Sequence, residues 1–94
     1  MRKKTKFDVY GDDGHAWLKV KRTLIDTLGI ADLITSFSYM KNGYVFLEED
    51  CDASTFIGAY EKMYGIRPQY RYHHTDKQSR IRNYNHFNKD IIVG

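Results

Sequence analysis

Residues 36–65, S-F-S-Y-M-K-N-G-Y-V-F-L-E-E-D-C-D-A-S-T-F-I-G-A-Y-E-K-M-Y-G, decide the fold. Asn42-Gly43 separates two short strand-like runs, and both central residues of a type I′ turn need a positive φ, which Asn and Gly tolerate best. The return run, 44–48, is aromatic and β-branched, which is typical of strands. The first half of the segment therefore predicts a β-hairpin.

The second half of the segment predicts an amphipathic helix. Its apolar side chains recur at helical spacing along one stripe, at Ala53, Phe56, Ile57, Tyr60, Met63 and Tyr64. Asp52 is predicted as the N-cap, since its side chain can accept a hydrogen bond from the first turn. Gly65 stands where a left-handed residue commonly ends a helix.

The residues upstream repeat this hairpin-and-helix pattern. Apolar and polar side chains alternate over 6–10 and over 15–20, which predicts two strands on either side of a glycine-containing turn. Residues 21–28 predict a helix, with Gly29 at its end. A first ββα unit therefore precedes the clearer unit of 36–65.

The residues downstream predict further strands, at 69–73 and at 79–84. The predicted fold class is α+β, with an antiparallel sheet of about five or six strands and two helices on one face. Two ββα units plus one or two C-terminal strands make up this sheet. A ferredoxin-like βαββαβ order is the alternative, if residues 15–28 form one helix.

Length and composition indicate one small domain, 1–94, with a basic arm at 1–5 and a tail at 89–94. One cysteine excludes an internal disulfide and a cysteine-based zinc cluster, and it favours a reducing, cytoplasmic setting. No apolar run approaches the roughly 18 residues of a membrane span. The net charge of +3 permits contact with nucleic acid without requiring it.

Four acids are crowded before the second helix, at Glu48, Glu49, Asp50 and Asp52. Acids at a helix N-terminus interact favourably with the helix dipole, so local structure explains them. The run lacks the alternating spacing and central glycine of an EF-hand loop, and we predict no metal site. An acidic patch that a protein partner recognises is compatible with the same residues.

A turn near the N-terminus brings together candidate binding residues Asp12, His15 and Trp17. Aspartates in a glycine turn are ordinary turn chemistry, and Trp17 suits a core position. A histidine beside carboxylates can act as a general base. No serine or cysteine nucleophile stands next to it in the sequence, so the structural interpretation is favoured.

The C-terminal third combines basic side chains with aromatic ones. Between residues 67 and 94 there are six Lys or Arg against two Asp, which gives +6 − 2 = +4. Such a surface resembles that of a nucleic-acid binder, with basic groups for phosphates and rings for bases. The alternative is a solvated sheet edge whose charges prevent aggregation. The candidate binding residues here are Tyr70, Tyr72, His74, Arg80, Arg82 and Tyr84.

Four motifs resemble a group of small proteins of phages, prophages and bacterial mobile elements. They are an Asp-x-Gly-His-x-Trp turn (12–17), Leu-Gly-Ile (28–30), a Tyr-x-Leu-Glu-Glu-Asp-Cys-Asp-Ala corner (44–53, with two residues in place of the one spacer) and a late His-Thr…Ser-x-Ile-Arg-x-Tyr segment (74–84). The resemblance spans roughly residues 7–87 and implies no particular reaction. It implies an accessory protein that binds a host protein or nucleoprotein complex, such as a defence system, and inhibits or modulates it.

The sequence thus yields three functional hypotheses, and the first two need no cofactor. The first is the non-enzymatic accessory protein just described, in the host cytoplasm, for which a homodimer is compatible. The alternative is direct binding of RNA or DNA by the basic, tyrosine-rich C-terminal surface. The third is a small metal-dependent hydrolase in which His15, His74, Asp12 and Glu48 converge.

Overall fold

The computed structural model describes residues 5–91. Within that range the elements are β1 (Lys6–Gly11), β2 (Ala16–Lys21), α1 (Arg22–Thr27), β3 (Tyr39–Lys41), β4 (Tyr44–Glu48), α2 (Asp52–Tyr64), β5 (Gln69–His74) and β6 (Asn85–His86), with 3₁₀ turns at Ala31–Leu33 and Arg80–Asn83. Apart from Thr5, the predicted basic arm lies outside the described residues. Only residues 89–91 of the predicted tail are described.

The strands form a six-stranded sheet in the order β5-β1-β2-β4-β3-β6. Every neighbouring pair is antiparallel except β1 with β5, which is parallel. The predicted α+β class with about six strands and two helices is confirmed, and the sheet is mixed where an antiparallel one was predicted. The difference follows from α2, because a helical crossover from β4 lets the chain re-enter the sheet in the same direction.

Both predicted ββα units are present, as β1-β2-α1 and β3-β4-α2. The two hairpins join where β2 pairs with β4. Ala16–Lys21 is a strand, so the ferredoxin-like alternative, which needs one helix over 15–28, does not occur. The second unit is the larger, because α2 has 13 residues and α1 has 6.

The turn between β3 and β4 has the predicted conformation. Asn42 has a φ of 54° and Gly43 has a φ of 83°, as both central residues of a type I′ turn require. Lys41 and Tyr44 are directly paired across the turn. Gly65 ends α2 with a φ of 69°, again as predicted.

The main core lies between the helices and one face of the sheet. Phe7 packs edge-to-face against Phe56 and Tyr60 of α2, with ring centroids 5.4 and 5.6 Å apart. The predicted stripe of α2 faces this core except for Met63, which is 51% exposed. The buried residues of this core are Phe7, Leu18, Val20, Ile25, Ile30, Ile34, Val45, Leu47, Phe56, Tyr60 and Phe87.

A smaller apolar cluster covers part of the opposite face of the sheet. Trp17 and Phe46 point to this face, and Ile81 packs on them from the C-terminal segment. The prediction of a strand over 79–84 is wrong, because this segment forms a 3₁₀ turn at Arg80–Asn83. The alternation of Ile81 with two arginines is compatible with both a strand and a turn. The turn is favoured because the Ser79 hydroxyl accepts a hydrogen bond from Ile81 N–H.

The acidic corner before α2 differs from its prediction in one respect. Cys51, rather than Asp52, occupies the N-cap position, and its side chain makes no capping hydrogen bond. The Glu48 carboxylate instead accepts from the N–H groups of Asp50, Cys51 and Asp52, which places an acid on the positive end of the helix. The predicted interaction of acids with the helix start therefore comes from Glu48.

Asp52 is fully buried and joins α2 to the preceding loop. Its carboxylate accepts hydrogen bonds from Thr35 N–H, Thr35 Oγ1 and Ser38 Oγ. The Ser38 hydroxyl in turn accepts from Glu48 N–H at the end of β4. A buried carboxylate is tolerated only with such partners, so Asp52 holds the loop, β4 and α2 together.

The described part of the C-terminal tail is attached to α1. Arg22 donates to the carbonyl oxygens of Lys89 and Ile91 at 2.7 and 2.8 Å. Its guanidinium also lies 5.3 Å from the centroid of the Phe87 ring. No helix within residues 5–91 has the length and apolar character that a membrane crossing needs.

Candidate functional site

The turn at 12–17, the acidic residues at 48–52 and segment 74–84 meet at one end of the sheet. Asp12 in the β1–β2 turn accepts two hydrogen bonds from Arg82, from Nε at 2.8 Å and from Nη2 at 2.9 Å. Ser79 N–H donates to the same carboxylate at 2.9 Å. Gly14 and His15 donate their N–H groups as well, so both carboxylate oxygens of Asp12 are fully used.

Trp17 forms the floor of this arrangement. The Arg82 guanidinium lies 5.3 Å from the centroid of the Trp17 ring, within reach of a cation–π interaction. Trp17 is only 3% exposed and is paired with Glu48 across β2 and β4. We call Asp12, Trp17, Ser79 and Arg82 the closed corner, because these groups satisfy one another.

The closed corner has a clear electrostatic signature. The hydrogen bonds from Arg82 and from Ser79 N–H hold the pKa of the Asp12 carboxyl far below its usual value of 3.8. The same pair raises the pKa of Arg82. Both groups therefore stay charged at all physiological pH values. Their charges compensate each other in an ion pair.

Shallow pockets flank the closed corner on the side of the acids. One of about 420 Å³ is lined by His15, Glu49 and His74, among other residues. Another of about 390 Å³ is lined by Trp17, Phe37, Tyr39, Glu48, Asp50 and Arg82, among others. Phe37, which lines the second of these pockets, is 72% exposed.

Two groups of side chains in residues 5–91 bring three potential metal ligands within 4.8 Å of one another. In one, Glu48 and Asp52 already accept the hydrogen bonds that hold the start of α2. In the other, the His74 ring nitrogen lies 3.4 Å from Asp13 and 3.5 Å from Asp76, all at exposed positions. The hydrolase hypothesis requires free carboxylates on Asp12 and Glu48, and both are occupied by main-chain donors.

A groove of about 590 Å³ lies on the other side of Arg82, on the sheet face that carries no helix. Lys19 and Phe46, which are paired across β2 and β4, form part of its floor. Segment 75–81 forms the opposite wall. We call this groove the cationic groove. Its basic and aromatic lining residues are Tyr10, Lys19, Phe46, Lys77, Arg80 and Tyr84.

Among residues 5–91, the cations of this groove have no acidic partner. No Asp or Glu is among the lining residues, and within the described chain no ion pair involves Lys19, Lys77 or Arg80. Lysine and arginine side chains are positively charged at neutral pH. As the described residues form it, the groove is therefore a positive surface without an acidic lining group.

Aromatic rings surround these cations. Phe46 and Tyr84 pack with centroids 5.2 Å apart, and Lys41 Nζ lies 4.8 Å above the Tyr84 ring. Lys19 Nζ lies 4.2 Å from the centroid of Tyr44. Tyr10 is held by stacking on His73, at 4.7 Å and an interplanar angle of 15°. The rings and the charges thus alternate over one continuous surface.

The predicted binding residues divide among these places. Arg80 and Tyr84 line the cationic groove, whereas Asp12, Trp17 and Arg82 form the closed corner. Tyr70 and Tyr72 lie on the other face of the sheet, since they pair with Phe7 and Val9 of the helix-side core. His15, His74 and the acids Glu48, Glu49 and Asp50 surround the pockets beside the closed corner.

Sequence reasoning missed Tyr10, Lys19, Phe46 and Lys77 as members of the groove. Alternation alone places Lys19 and Tyr10 opposite the apolar residues of their strands, which is the available signal. Alternation does not show which strands pair, and it is the pairing of β2 with β4 that places Lys19 beside Phe46. Phe46 was predicted only as part of the aromatic, β-branched return strand, and both faces of that strand are buried.

Comparisons of the chain with protein-family models, with curated proteins and with solved structures find no match. The resemblance to phage and mobile-element proteins therefore stays a prediction. We infer function from the chemistry of the surface alone.

Proposed function

We propose that this protein is a non-enzymatic binding protein whose ligand is single-stranded nucleic acid, held in the cationic groove. The observation that carries the proposal is the lining of this groove. Lys19, Lys77 and Arg80 have no acidic partner there, and aromatic rings stand between them. Proteins that bind single strands combine these two features, since cations follow the phosphates and rings stack on the bases.

The shape of the groove favours a single strand over a duplex. Stacking on Tyr10, Phe46 or Tyr84 needs bases that are free of their own partners, which only a single strand offers. A volume of about 590 Å³ lies within the usual range of small-ligand sites, so it accommodates a short stretch of a longer strand. The unpaired cations provide affinity without a particular base sequence.

The direct test is fluorescence anisotropy with labelled single-stranded DNA and RNA and with a duplex of equal length. We expect single strands to bind more tightly, with a slope of log affinity against log salt of about −2 for three phosphate contacts. Lys77→Ala with Arg80→Ala should weaken binding by about tenfold or more. Equal affinity for the duplex, or no binding at low salt, would contradict the proposal.

A matched control removes the same charges elsewhere. Lys62→Ala with Arg67→Ala takes one lysine and one arginine from α2 and the loop that follows it. Both residues are exposed and belong to the helix side of the molecule. Because Arg67 lies 3.5 Å from Glu61, Lys62→Ala compared with Lys77→Ala is the stricter pair. Electrostatic attraction without a site predicts equal losses for the two double variants, whereas the groove predicts a loss only for the first.

A second candidate function is binding of a host protein, as in an accessory protein that modulates a host machine or defence system. The pocket of about 390 Å³ beside the closed corner favours it. Phe37 and Tyr39 provide apolar walls and Glu48 and Asp50 provide negative charge, which suits a basic side chain of a partner.

This candidate is tested by co-purification from nuclease-treated host lysate with the wild type and two variants. Phe37→Ser should abolish recovery of a stoichiometric protein, and Lys77→Ala with Arg80→Ala should retain it. The opposite pattern, or loss of the partner on nuclease treatment, would mean that nucleic acid mediates the contact.

A further inference from the structure

Strand β5 forms a long open edge of the sheet. Its inner side pairs with β1, and no described strand pairs with its outer side. Gln69 N–H donates to Thr5 O and Thr75 N–H donates to Gly11 O, at the two ends of the strand. Since main-chain groups alternate in direction, the outward groups belong to Tyr70, Tyr72 and His74.

This edge lacks the features that usually prevent strand association. The opposite edge, β6, has only two residues, whereas β5 has six. Pro68 precedes β5 and none lies within it. Its one permanently charged side chain, Arg71, lies 3.6 Å from Asp8 of the neighbouring strand. Tyr72 is 75% exposed, the highest value among the large hydrophobic side chains in the described part of the chain.

We infer that β5 pairs antiparallel with β5 of a second copy of this chain, about a twofold axis at Tyr72. Residues paired across such an axis lie on the same face, so the axis passes through one residue of β5. Registers centred on Arg71 or Tyr72 pair five of the six residues of β5, and those centred on Tyr70 or His73 pair three. Centring on Arg71 sets two arginines directly opposite each other, which is unfavourable. Centring on Tyr70 sets Tyr72 against Pro68, which has no N–H to donate.

Centring on Tyr72 avoids both faults. Tyr72 then faces its own counterpart, Arg71 faces His73 and Tyr70 faces His74, so each pair includes aromatic contact. The outward groups of Tyr70, Tyr72 and His74 supply about six main-chain hydrogen bonds between the copies. An apolar depression is lined by Val9, Ala53, Ile57, Tyr70 and Tyr72, among others, and offers space for the Tyr72 ring of the second copy.

The consequence is one continuous sheet of two copies. A twofold axis perpendicular to the sheet keeps both helix layers on one face and both cationic grooves on the other. The inference does not depend on what the grooves bind, because it stands on the edge of β5 alone.

The test measures molecular mass by light scattering and sedimentation over a wide range of protein concentration. We expect the wild type to form dimers, and Tyr72→Lys and Tyr72→Glu each to raise the dissociation constant by at least about tenfold, since like charges meet at the axis. An equimolar mixture of the two variants should restore the dimer, because Lys then faces Glu. Phe37→Lys is the matched control, since Phe37 is similarly exposed, at 72%, and is not in β5; it should dimerise as the wild type does.

A wild type that is monomeric at every concentration contradicts the inference, and any strand that the edge accepts then belongs to another protein. Dimerisation by both variants separately, with circular dichroism showing them folded, contradicts it too. Failure of the mixture to associate, when the wild type dimerises, excludes pairing at Tyr72. If either variant does not fold, the wild-type measurement decides.

Discussion

Arg80 and Arg82 lie two residues apart and serve two different regions. Arg82 belongs to the closed corner, where two of its three guanidinium nitrogens donate to Asp12 at 2.8 and 2.9 Å. Arg80 lies in the cationic groove, where the described chain offers it no carboxylate. A basic side chain is thus available to a ligand only when no acidic side chain of the same fold pairs with it. In this chain the acid that decides the matter is 70 residues away in sequence from Arg82.

The largest effect is expected on stability, from Asp12→Asn, which keeps the size of the side chain and removes the charge from the closed corner. We expect the midpoint of thermal unfolding to fall by several degrees at neutral pH. The pKa of Asp12 is lower in the folded state than its usual 3.8, so its contribution is present above that pH and is lost as the pH falls below it.

Thermal unfolding of both proteins across a pH series checks this. The difference between wild type and Asp12→Asn should narrow steadily in acid. The control is Asp50→Asn, which changes an exposed carboxylate that accepts no hydrogen bond from Arg or Ser. A difference that stays constant with pH would mean that the charge of Asp12 does not stabilise the fold.

The next effect separates the two arginines directly. Arg82→Ala should lower the unfolding midpoint, because it leaves Asp12 without its partner. Arg80→Ala should leave the midpoint unchanged and weaken binding of single-stranded nucleic acid by about tenfold at low salt. Calorimetry and anisotropy on the same samples measure the two properties. Equal effects of both variants on binding would remove the distinction between the closed corner and the cationic groove.

A smaller effect is expected from the rings of the groove. Tyr84→Leu keeps an apolar cover over Phe46 and Ile81 and removes the stacking surface. We expect affinity to fall about fivefold, which corresponds to the loss of roughly 1 kcal/mol of stacking. Tyr64→Leu on α2 is the control, since it removes a half-buried tyrosine from the other face. If both leave the affinity unchanged, the rings do not contact bases.

The smallest effect is expected from Lys77→Ala. The loss of one phosphate contact should reduce the salt slope by about 0.7 and the affinity about threefold at low salt. Lys62→Ala should change neither quantity. A reduced affinity with an unchanged slope would indicate that Lys77 shapes the loop over 75–78 rather than contacting phosphate.

The local elements were predictable because their signals are local. Asn42-Gly43 needs no distant partner to form its turn, and Gly65 ends α2 by its own backbone freedom. The closed corner and the cationic groove were not predictable, since each depends on which strands pair. The parallel pairing of β5 with β1 follows the crossover through α2, and Lys19 lies beside Phe46 because β2 pairs with β4.

In segment 79–84 a local sequence pattern predicts the wrong element, because a contact distant in sequence overrides it. Its alternation around Ile81 predicts a strand, and the hydrogen bond from Ser79 N–H to Asp12 holds it as a turn instead. Asp52 is a similar case. Its position predicts a cap, and the hydroxyls of Thr35 and Ser38 draw its carboxylate into the core. Partners distant in sequence override a local preference in both places.

The most direct test of the central claim is a titration of ¹⁵N-labelled protein with a short single-stranded oligonucleotide, followed by NMR. We expect saturable shifts at Lys19, Phe46 and Arg80 that disappear at high salt, with the resonances of α2 unaffected. Absence of any saturable shift at low salt, or shifts confined to α2 and the helix side of the sheet, would contradict it.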